Sequence, residues 1–278
     1  MTAEKYKKEE IEIIKDEVRR GKFKSALFDF DGTISLIRRG WQEVMESYFT
    51  EVLQQVAINE SEKEIRDCAR EFIDKLTGKQ TIYQCIRLAE EVEKRGGEPE
   101  EPLEYKHEYY RRLMNKIDSR LEGLKKGSIE PEELRVPGSR KFLEYLYNRG
   151  INLYLASGTD EDYVLKEAEL LEITEFFDGE IYGAKDDYEN FSKADVIKEI
   201  INTHNLEGFE LIGFGDGFVE IENVKEVGGF AAGVASDEEK QEGIDEWKRE
   251  RLIEAGADII IPDFRNTENL KRYLFGEE

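Results

Sequence analysis

Apolar and polar residues follow two alternating patterns over the second half of the chain. Short apolar runs bounded by glycine or polar residues are typical of buried β-strands, and apolar positions three or four residues apart are typical of helices. The predicted strands lie at residues 151–156, 210–214, 231–235 and 258–261, and the predicted helices at 139–149, 160–171, 193–204 and 218–227. This alternation predicts an α/β fold with a parallel sheet covered by helices.

Another strand is predicted much earlier in the sequence, ending at Asp31. A strand–helix–strand unit needs only about 30 residues, and roughly four times that length precedes the strand at 151–156. The intervening sequence has helical periodicity, with predicted helices at residues 41–56, 62–76, 81–94 and 102–117. We therefore predict a helical domain, residues 36–135, inserted into an α/β domain formed by residues 1–35 and 136–278.

The N-terminal segment is charged. Residues 4–20 predict a helix with Ile11, Ile14 and Val18 along one side. The chain shows neither an apolar leader nor a run of about 18 apolar residues that could span a membrane. We expect a cytoplasmic protein.

The formal net charge of −23 over 278 residues disfavours nucleic acids and anionic membranes as partners. An anionic substrate would need local compensation by a metal ion or a lysine. Cys68 and Cys85 lack the spacing of a disulfide framework or zinc site, and His107 and His204 are isolated. The oligomeric state is left open.

Two carboxylates close the first predicted strand, at Asp29 and Asp31, just before Gly32. Side chains at i and i+2 lie on the same side of an extended chain, so both carboxylates are expected to face one small volume. Like charges placed that close need a cation or a shared proton. The pair indicates a metal site, an acid–base pair, or a nucleophile beside its proton donor.

Two later segments offer groups that bind anions. Ser157 and Gly158 follow the predicted strand at 151–156 and precede a predicted helix, where a hydroxyl and a backbone N–H can hold a phosphate. An ordinary helix cap at Ser157 or Thr159 is the alternative. Lys193 lies in the first turn of a predicted helix, where the helix dipole disfavours a cation. Lys185 is the competing candidate for the neutralising lysine.

The segment around Asp216 ends the predicted strand at 210–214 and carries a second acid, Glu220. Its glycines lack the spacing of a dinucleotide fingerprint, which disfavours an oxidoreductase. Residues at i and i+4 share one side of a helix, so both carboxylates could face one cation. We expect Glu220 either to contact the cation through a water molecule or to lie outside the set of direct ligands.

The sequence from Asp29 to Thr33 resembles the Asp-x-Asp-Gly-Thr signature of the haloacid dehalogenase-type hydrolase superfamily, and the three later segments follow in the superfamily's order. The resemblance implies a Rossmann-like, doubly wound parallel sheet with an inserted α-helical cap, as in the phosphoglycolate phosphatase and β-phosphoglucomutase branch. A family proline after the lysine is replaced here by Ala194.

The resemblance also implies a mechanism. Asp29 would be the nucleophile that forms an aspartyl-phosphate, and Asp31 would be the general acid and base. Mg²⁺ would be held by Asp29, the backbone carbonyl of Asp31 and Asp216. Lys193, Ser157 and Gly158 would bind the phosphoryl group.

The expected substrate is a small phosphorylated metabolite, either a sugar phosphate or a compound like phosphoglycolate. Two parts of the inserted domain could read its leaving group: Arg38 and Arg39 near its start, and Gln80 and Thr81 after Gly78. A solvated helix surface is the alternative for each of them. The alternatives are a phosphomutase, which shares all of these motifs, and a non-catalytic binding module on the same fold.

Overall fold

The computed structural model describes residues 11–185 and 193–276. The chain divides into a helical unit, Gly40–Glu122, and a sheet unit formed by the residues before and after it. Residues 36–39 and 123–135, which the sequence analysis assigns to the inserted domain, fall in the sheet unit. Within the described residues, no helix is long and apolar enough to cross a membrane.

Amphipathic helices form the helical unit: α1 (Trp41–Gln54), α2 (Glu62–Leu76), α3 (Thr81–Lys94) and α4 (Pro102–Lys126), of which the last four residues fall in the sheet unit. Helix α2 begins with a capping box between Ser61 and Glu64. Helix α4 continues past residue 117, where the sequence analysis ends it. Gly123 lies within α4 and leaves room for Ile129, because a Cβ at this position would lie 2.5 Å from Ile129 Cδ1.

The sheet unit contains the strands β1 (Glu12–Ile13), β2 (Ser25–Phe28), β3 (Asn152–Asp160), β4 (Ile181–Ala184), β5 (Leu211–Gly215), β6 (Phe230–Val234) and β7 (Ile259–Ile261). In the described residues they form one seven-stranded sheet in the order β1-β7-β6-β5-β2-β3-β4. All pairs are parallel except β1 with β7. The predicted α/β class is confirmed.

Two predictions about the elements of the sheet unit are wrong. Residues 11–20 are not helical, since Glu12 and Ile13 pair with Ile260 and Ile259 at the edge of the sheet; residues 4–10 of that predicted helix lie outside the described residues. Strand β3 runs on to Asp160 instead of ending at residue 156. Strand β4, whose four residues include a glycine, is not predicted at all.

The remaining helices belong to the sheet unit and are α5 (Ser139–Asn148), α6 (Glu161–Leu170), α7 (Lys193–Thr203), α8 (Phe218–Glu226), α9 (Glu246–Glu254) and α10 (Thr267–Phe275). Neighbouring residues of β2 serve opposite faces of the sheet, as strand geometry requires. Leu27 belongs to the core cluster that includes Ile197 of α7 and Leu252 of α9. Phe28 instead stacks on Phe214, with ring centroids 4.7 Å apart.

The order of the strands places a crevice beside β2. The chain passes from β2 to β3 and β4 on one side, and β5, β6 and β7 lie on the other. Open α/β sheets bind ligands beyond the carboxyl ends of the strands at such a reversal. Asp29 and Asp31 follow β2 and Asp216 follows β5, so the fold brings these carboxylates to that edge.

Candidate active site

A tight turn follows β2 and is held by the backbone. The N–H of Asp29 donates to the carbonyl of Phe214 at 2.9 Å, which extends the pairing with β5 by one residue. The carbonyl of Phe30 then accepts the N–H groups of Ile34 and Ser35, each at 2.8 Å. Gly32 has φ +74°, and a Cβ there would lie 2.1 Å from Oδ2 of Asp216. Only glycine fits both the conformation and the space.

Asp29, Lys193 and Glu220 form a buried triad, the first triad. Lys193, the first residue of α7, places Nζ 2.6 Å from Oδ1 of Asp29 and also donates to Oε1 of Glu220. Glu220 therefore anchors the lysine. Lys185 is exposed and pairs with Glu161 at 3.6 Å. The lysine at Asp29 is thus Lys193.

The electrostatics of the first triad follow from burial. Desolvation raises the pKa of Asp29 well above its ordinary value; Lys193 opposes this shift, and Glu220 and Asp216 add to it. Burial alone would lower the pKa of Lys193, but the carboxylates of Asp29 and Glu220 more than offset it, so the ammonium stays charged. Burial therefore disfavours the ionised form of Asp29, and further positive charge beside it would stabilise that form.

A second triad lies beside the first and consists of Asp216, Lys248 and Glu238. Nζ of Lys248 is 2.8 Å from Oδ2 of Asp216 and 2.7 Å from Oε1 of Glu238. Next to it, Ser236 Oγ donates to the carbonyl of Gly32 at 2.6 Å and holds the turn after β2. The second triad and this turn thus form one connected structure.

Residues 236–246 have the acidic composition of a solvated stretch, so the sequence does not point to the contacts of Glu238 and Lys248 beside Asp216. Ser236 is buried in the structure, and Glu238 bridges to Lys248. A signal was available: Lys248 lies in the first turn of α9, behind the N-cap Asp245, where a cation is as unfavourable as at Lys193.

The carboxyl group of Asp31 has a hydrogen-bond partner outside both triads. Thr159 Oγ1 donates to its Oδ2 at 2.9 Å, whereas its buried Oδ1 has no hydrogen-bond partner. Burial raises the pKa of Asp31 to about 7; the positive charge of Arg38 opposes this shift and the negative charge of Glu167 adds to it. Thr159, considered above only as a helix cap, is the partner of this carboxyl.

The expected phosphate-binding residues lie within β3. Ser157 is buried, and its Oγ accepts the N–H of Thr159 at 3.1 Å. Gly158 belongs to the last residues of the strand, and α6 begins only at Glu161. Ser157 and Gly158 therefore lie at a strand end next to Asp31, and not at a helix N-terminus.

Three of the residues expected to read a substrate contact other protein groups, and the fourth, Gln80, is buried. Arg38 is buried and makes a bidentate ion pair with Glu167, with Nη2 to Oε1 at 2.8 Å. Arg39 donates to the backbone carbonyl of Glu238 at 3.1 Å. In the helical unit, Gln80 is buried and Thr81 Oγ1 accepts the hydroxyl of Tyr110 at 3.3 Å.

The donor atoms of the site suit a hard divalent cation. Among the described residues, no group of three or more Asp, Glu, His or Cys side chains is placed to hold a metal. Asp29 and Asp216 are close enough for the charge of Asp216 to raise the pKa of Asp29, and Oδ1 of Asp31 is buried without a partner. Mg²⁺ is commonly held by one or two carboxylates together with substrate oxygens. The residues fit such an ion.

Several solved structures share the fold. A predicted phosphoglycolate phosphatase from Haemophilus somnus 129pt aligns with a TM-score of 0.58 at 15% identity, covering 90% of this chain and 98% of that one. A β-phosphoglucomutase from Clostridium difficile aligns at 0.58 and 16%, covering 90% and 97%. A hydrolase from Deinococcus radiodurans R1 with bound phosphate and sodium aligns at 0.53 and 13%, covering 91% and 96%.

Similarity at these identities concerns the fold, because one fold carries many activities. No curated protein matches the sequence. The family model for haloacid dehalogenase-like hydrolases matches residues 26–234, which is more than half of the chain and includes all four motif segments. The chain therefore belongs to the haloacid dehalogenase-like hydrolase family.

Proposed function

We propose that the chain is a Mg²⁺-dependent phosphatase that hydrolyses a small phosphorylated metabolite through an aspartyl-phosphate on Asp29. The observation that carries this proposal is the buried contact between Asp29 and Lys193 at the carboxyl end of β2. A carboxylate held by a lysine at the ligand-binding edge of the sheet suits attack on an anionic phosphoryl group. Membership of a hydrolase family supports it.

In the proposed reaction, a carboxylate oxygen of Asp29 forms a bond to phosphorus and the bond to the ester oxygen breaks. Asp31 donates its proton to the leaving oxygen, which its raised pKa permits near neutral pH. Asp31 then takes a proton from a water molecule that attacks the phosphoryl group on Asp29. Asp29 is regenerated and inorganic phosphate is released.

Several groups would offer positive charge or hydrogen bonds to the phosphoryl group. Lys193, anchored by Glu220, neutralises the phosphoryl oxygens as they approach Asp29. Ser157 and the N–H of Gly158 are the proposed further donors. The side chains of Asp29 and Asp216 and the carbonyl of Asp31 would hold Mg²⁺. When bound, Mg²⁺ shares the charge of the transferring group.

Arg38 is not part of the proposed substrate site, because its guanidinium is committed to Glu167. Substrate selection is assigned to the helical unit, in the role of the cap that the family resemblance implies. Gln80 and Thr81, at the start of α3, are the first residues to substitute when the substrate is known. Sugar phosphates and phosphoglycolate are the compounds to test first.

The test is phosphate release from a panel of sugar phosphates, phosphoglycolate and nucleotides, with and without Mg²⁺. Asp29→Asn is the inactive variant, and Asp162→Asn, an exposed aspartate in the first turn of α6, is the matched control. Release that needs Mg²⁺ and is lost only in Asp29→Asn supports the proposal. Conversion of a sugar phosphate to an isomer without phosphate release indicates a phosphomutase and contradicts hydrolysis.

A further inference from the structure

The second triad contains a buried lysine in contact with the carboxylate proposed to hold the metal. Lys248 is 5% exposed. It donates to Oδ2 of Asp216 at 2.8 Å and to Oε1 of Glu238 at 2.7 Å. Burial would lower its pKa, but these two carboxylates more than offset that effect, so the side chain is a permanent cation. The catalytic steps proposed above do not use Lys248.

The first and second triads have the same composition: one acid that follows a strand of the sheet, one lysine from the start of a helix, and a glutamate that anchors the lysine. In the first triad, Lys193 faces the proposed nucleophile, Asp29. In the second, Lys248 faces the proposed metal ligand, Asp216. A divalent cation on Asp216 and the ammonium of Lys248 would share one carboxylate and repel each other across a poorly solvated site.

We propose that Lys248 is the counter-cation of Asp216: it holds Oδ2 of this carboxylate and sets how tightly the site binds a divalent cation. It is a positioning residue, and the inference rests on the proposed metal site. Glu238 acts in the opposite direction, because it draws the charge of Lys248 away from Asp216. Removing Lys248 therefore strengthens cation binding, whereas removing the charge of Glu238 weakens it.

The test is calorimetric titration of metal-free protein with Mg²⁺, which needs no activity. For Lys248→Met we expect Mg²⁺ affinity to rise by about tenfold, and for Glu238→Gln to fall by about tenfold, at the low end of effects measured for groups around metal ligands. Lys248→Arg keeps the charge and should stay within about threefold of the unsubstituted protein. Asp216→Asn should weaken binding in every background.

A matched control lies outside the site. Lys225 pairs with the buried Asp258 at 2.8 Å, so Lys225→Met removes a comparable lysine without touching Asp216. We expect its Mg²⁺ affinity to be unchanged. If both Lys248→Met and Glu238→Gln weaken Mg²⁺ binding, the triad serves only as a support and the proposal is wrong.

Lys248→Met leaves two partly buried carboxylates without their partner, so its folding must be checked. The double variant Lys248→Met with Glu238→Gln then decides the question, because it should bind Mg²⁺ more tightly than Glu238→Gln alone; equal or weaker binding overturns the proposal. If the unsubstituted protein does not bind Mg²⁺, the proposed metal site fails and the role of Lys248 fails with it. If the unsubstituted protein binds Mg²⁺ and Lys248→Met binds it with the same affinity, only the proposed role of Lys248 is wrong.

Discussion

Nζ of Lys193 lies 2.6 Å from Oδ1 of Asp29, although the two residues are 164 positions apart in the chain. Asp29 directly follows β2, and Lys193 lies in the first turn of α7. Glu220 fixes the lysine from its other side. This contact places a positive charge at the carboxylate that is proposed to attack phosphorus.

Asp29→Asn should abolish phosphate release, because an amide cannot form the phosphoryl bond. The fold should persist, since Lys193 keeps Glu220 as its partner. The increase in melting temperature on adding Mg²⁺ should become smaller but persist, because Asp29 is one of the proposed ligands while Asp216 and the carbonyl of Asp31 are intact. Phosphate assays and thermal unfolding with and without Mg²⁺ check both parts. Substantial residual turnover would show that Asp29 is not the nucleophile.

Arg38→Met should lower the free energy of unfolding by about 3–5 kcal/mol, because it leaves the buried carboxylate of Glu167 without its partner. Combining it with Glu167→Leu should restore most of the loss. Arg70→Met is the matched control, since Arg70 makes a similar pair with Glu46 on the surface, and its effect should be much smaller. Denaturant unfolding measures all of these variants; equal effects at Arg38 and Arg70 would refute the assigned role of burial.

Gly32→Ala should disrupt the site itself. Its Cβ would overlap Oδ2 of Asp216, and the positive φ adds backbone strain. Gly127→Ala is the control, because Gly127 has φ +66° with no atom near its Cβ position. We expect a loss of about 1 kcal/mol of stability in the control from backbone strain alone. Only Gly32→Ala should also lose Mg²⁺ binding, measured by calorimetry; unaltered binding would mean that the turn does not position Asp216.

The pKa of Asp31 predicts how the stability of the metal-free protein depends on pH. Burial raises this pKa from 3.8 to about 7. Between these values the folded protein keeps a proton that the unfolded chain has lost, so the free energy of unfolding falls as pH rises through this window. Asp31→Asn should flatten the dependence and be relatively more stable at high pH. Denaturant unfolding in EDTA at about pH 5 and about pH 8 compares the two proteins. Identical pH dependences would contradict the shift.

The local pattern of apolar and polar residues predicts much of the fold. It fails where contacts between residues far apart in the sequence determine the structure. The helices of the helical unit begin at the predicted residues. Their apolar spacing is clear, and glycine, serine or proline residues lie between them. Strand β1 is missed because Ile11 and Ile14 also fit a helical stripe, and only pairing with Ile259 and Ile260 makes the segment extended. Such pairing cannot be read from a local window.

The sequence likewise predicts one part of the candidate site and not the other. Asp29, Asp31, Lys193 and Asp216 stand out because short motifs place them at predicted strand and helix ends. The side chains that contact these residues do not stand out in the sequence. Thr159 meets Asp31, and Lys248 meets Asp216, only through packing of distant elements. The location of charged side chains is predictable from the sequence, whereas the pairs that they form depend on the tertiary structure.

The measurement that tests the central claim most directly is mass spectrometry of protein quenched in acid during turnover of a substrate found in the phosphate-release assay. The account predicts the added mass of one phosphoryl group on the peptide that contains Asp29 in the unsubstituted protein, and none in Asp29→Asn. A phosphoryl group on another residue, or turnover without any phosphorylated protein under conditions that slow the second step, would contradict it.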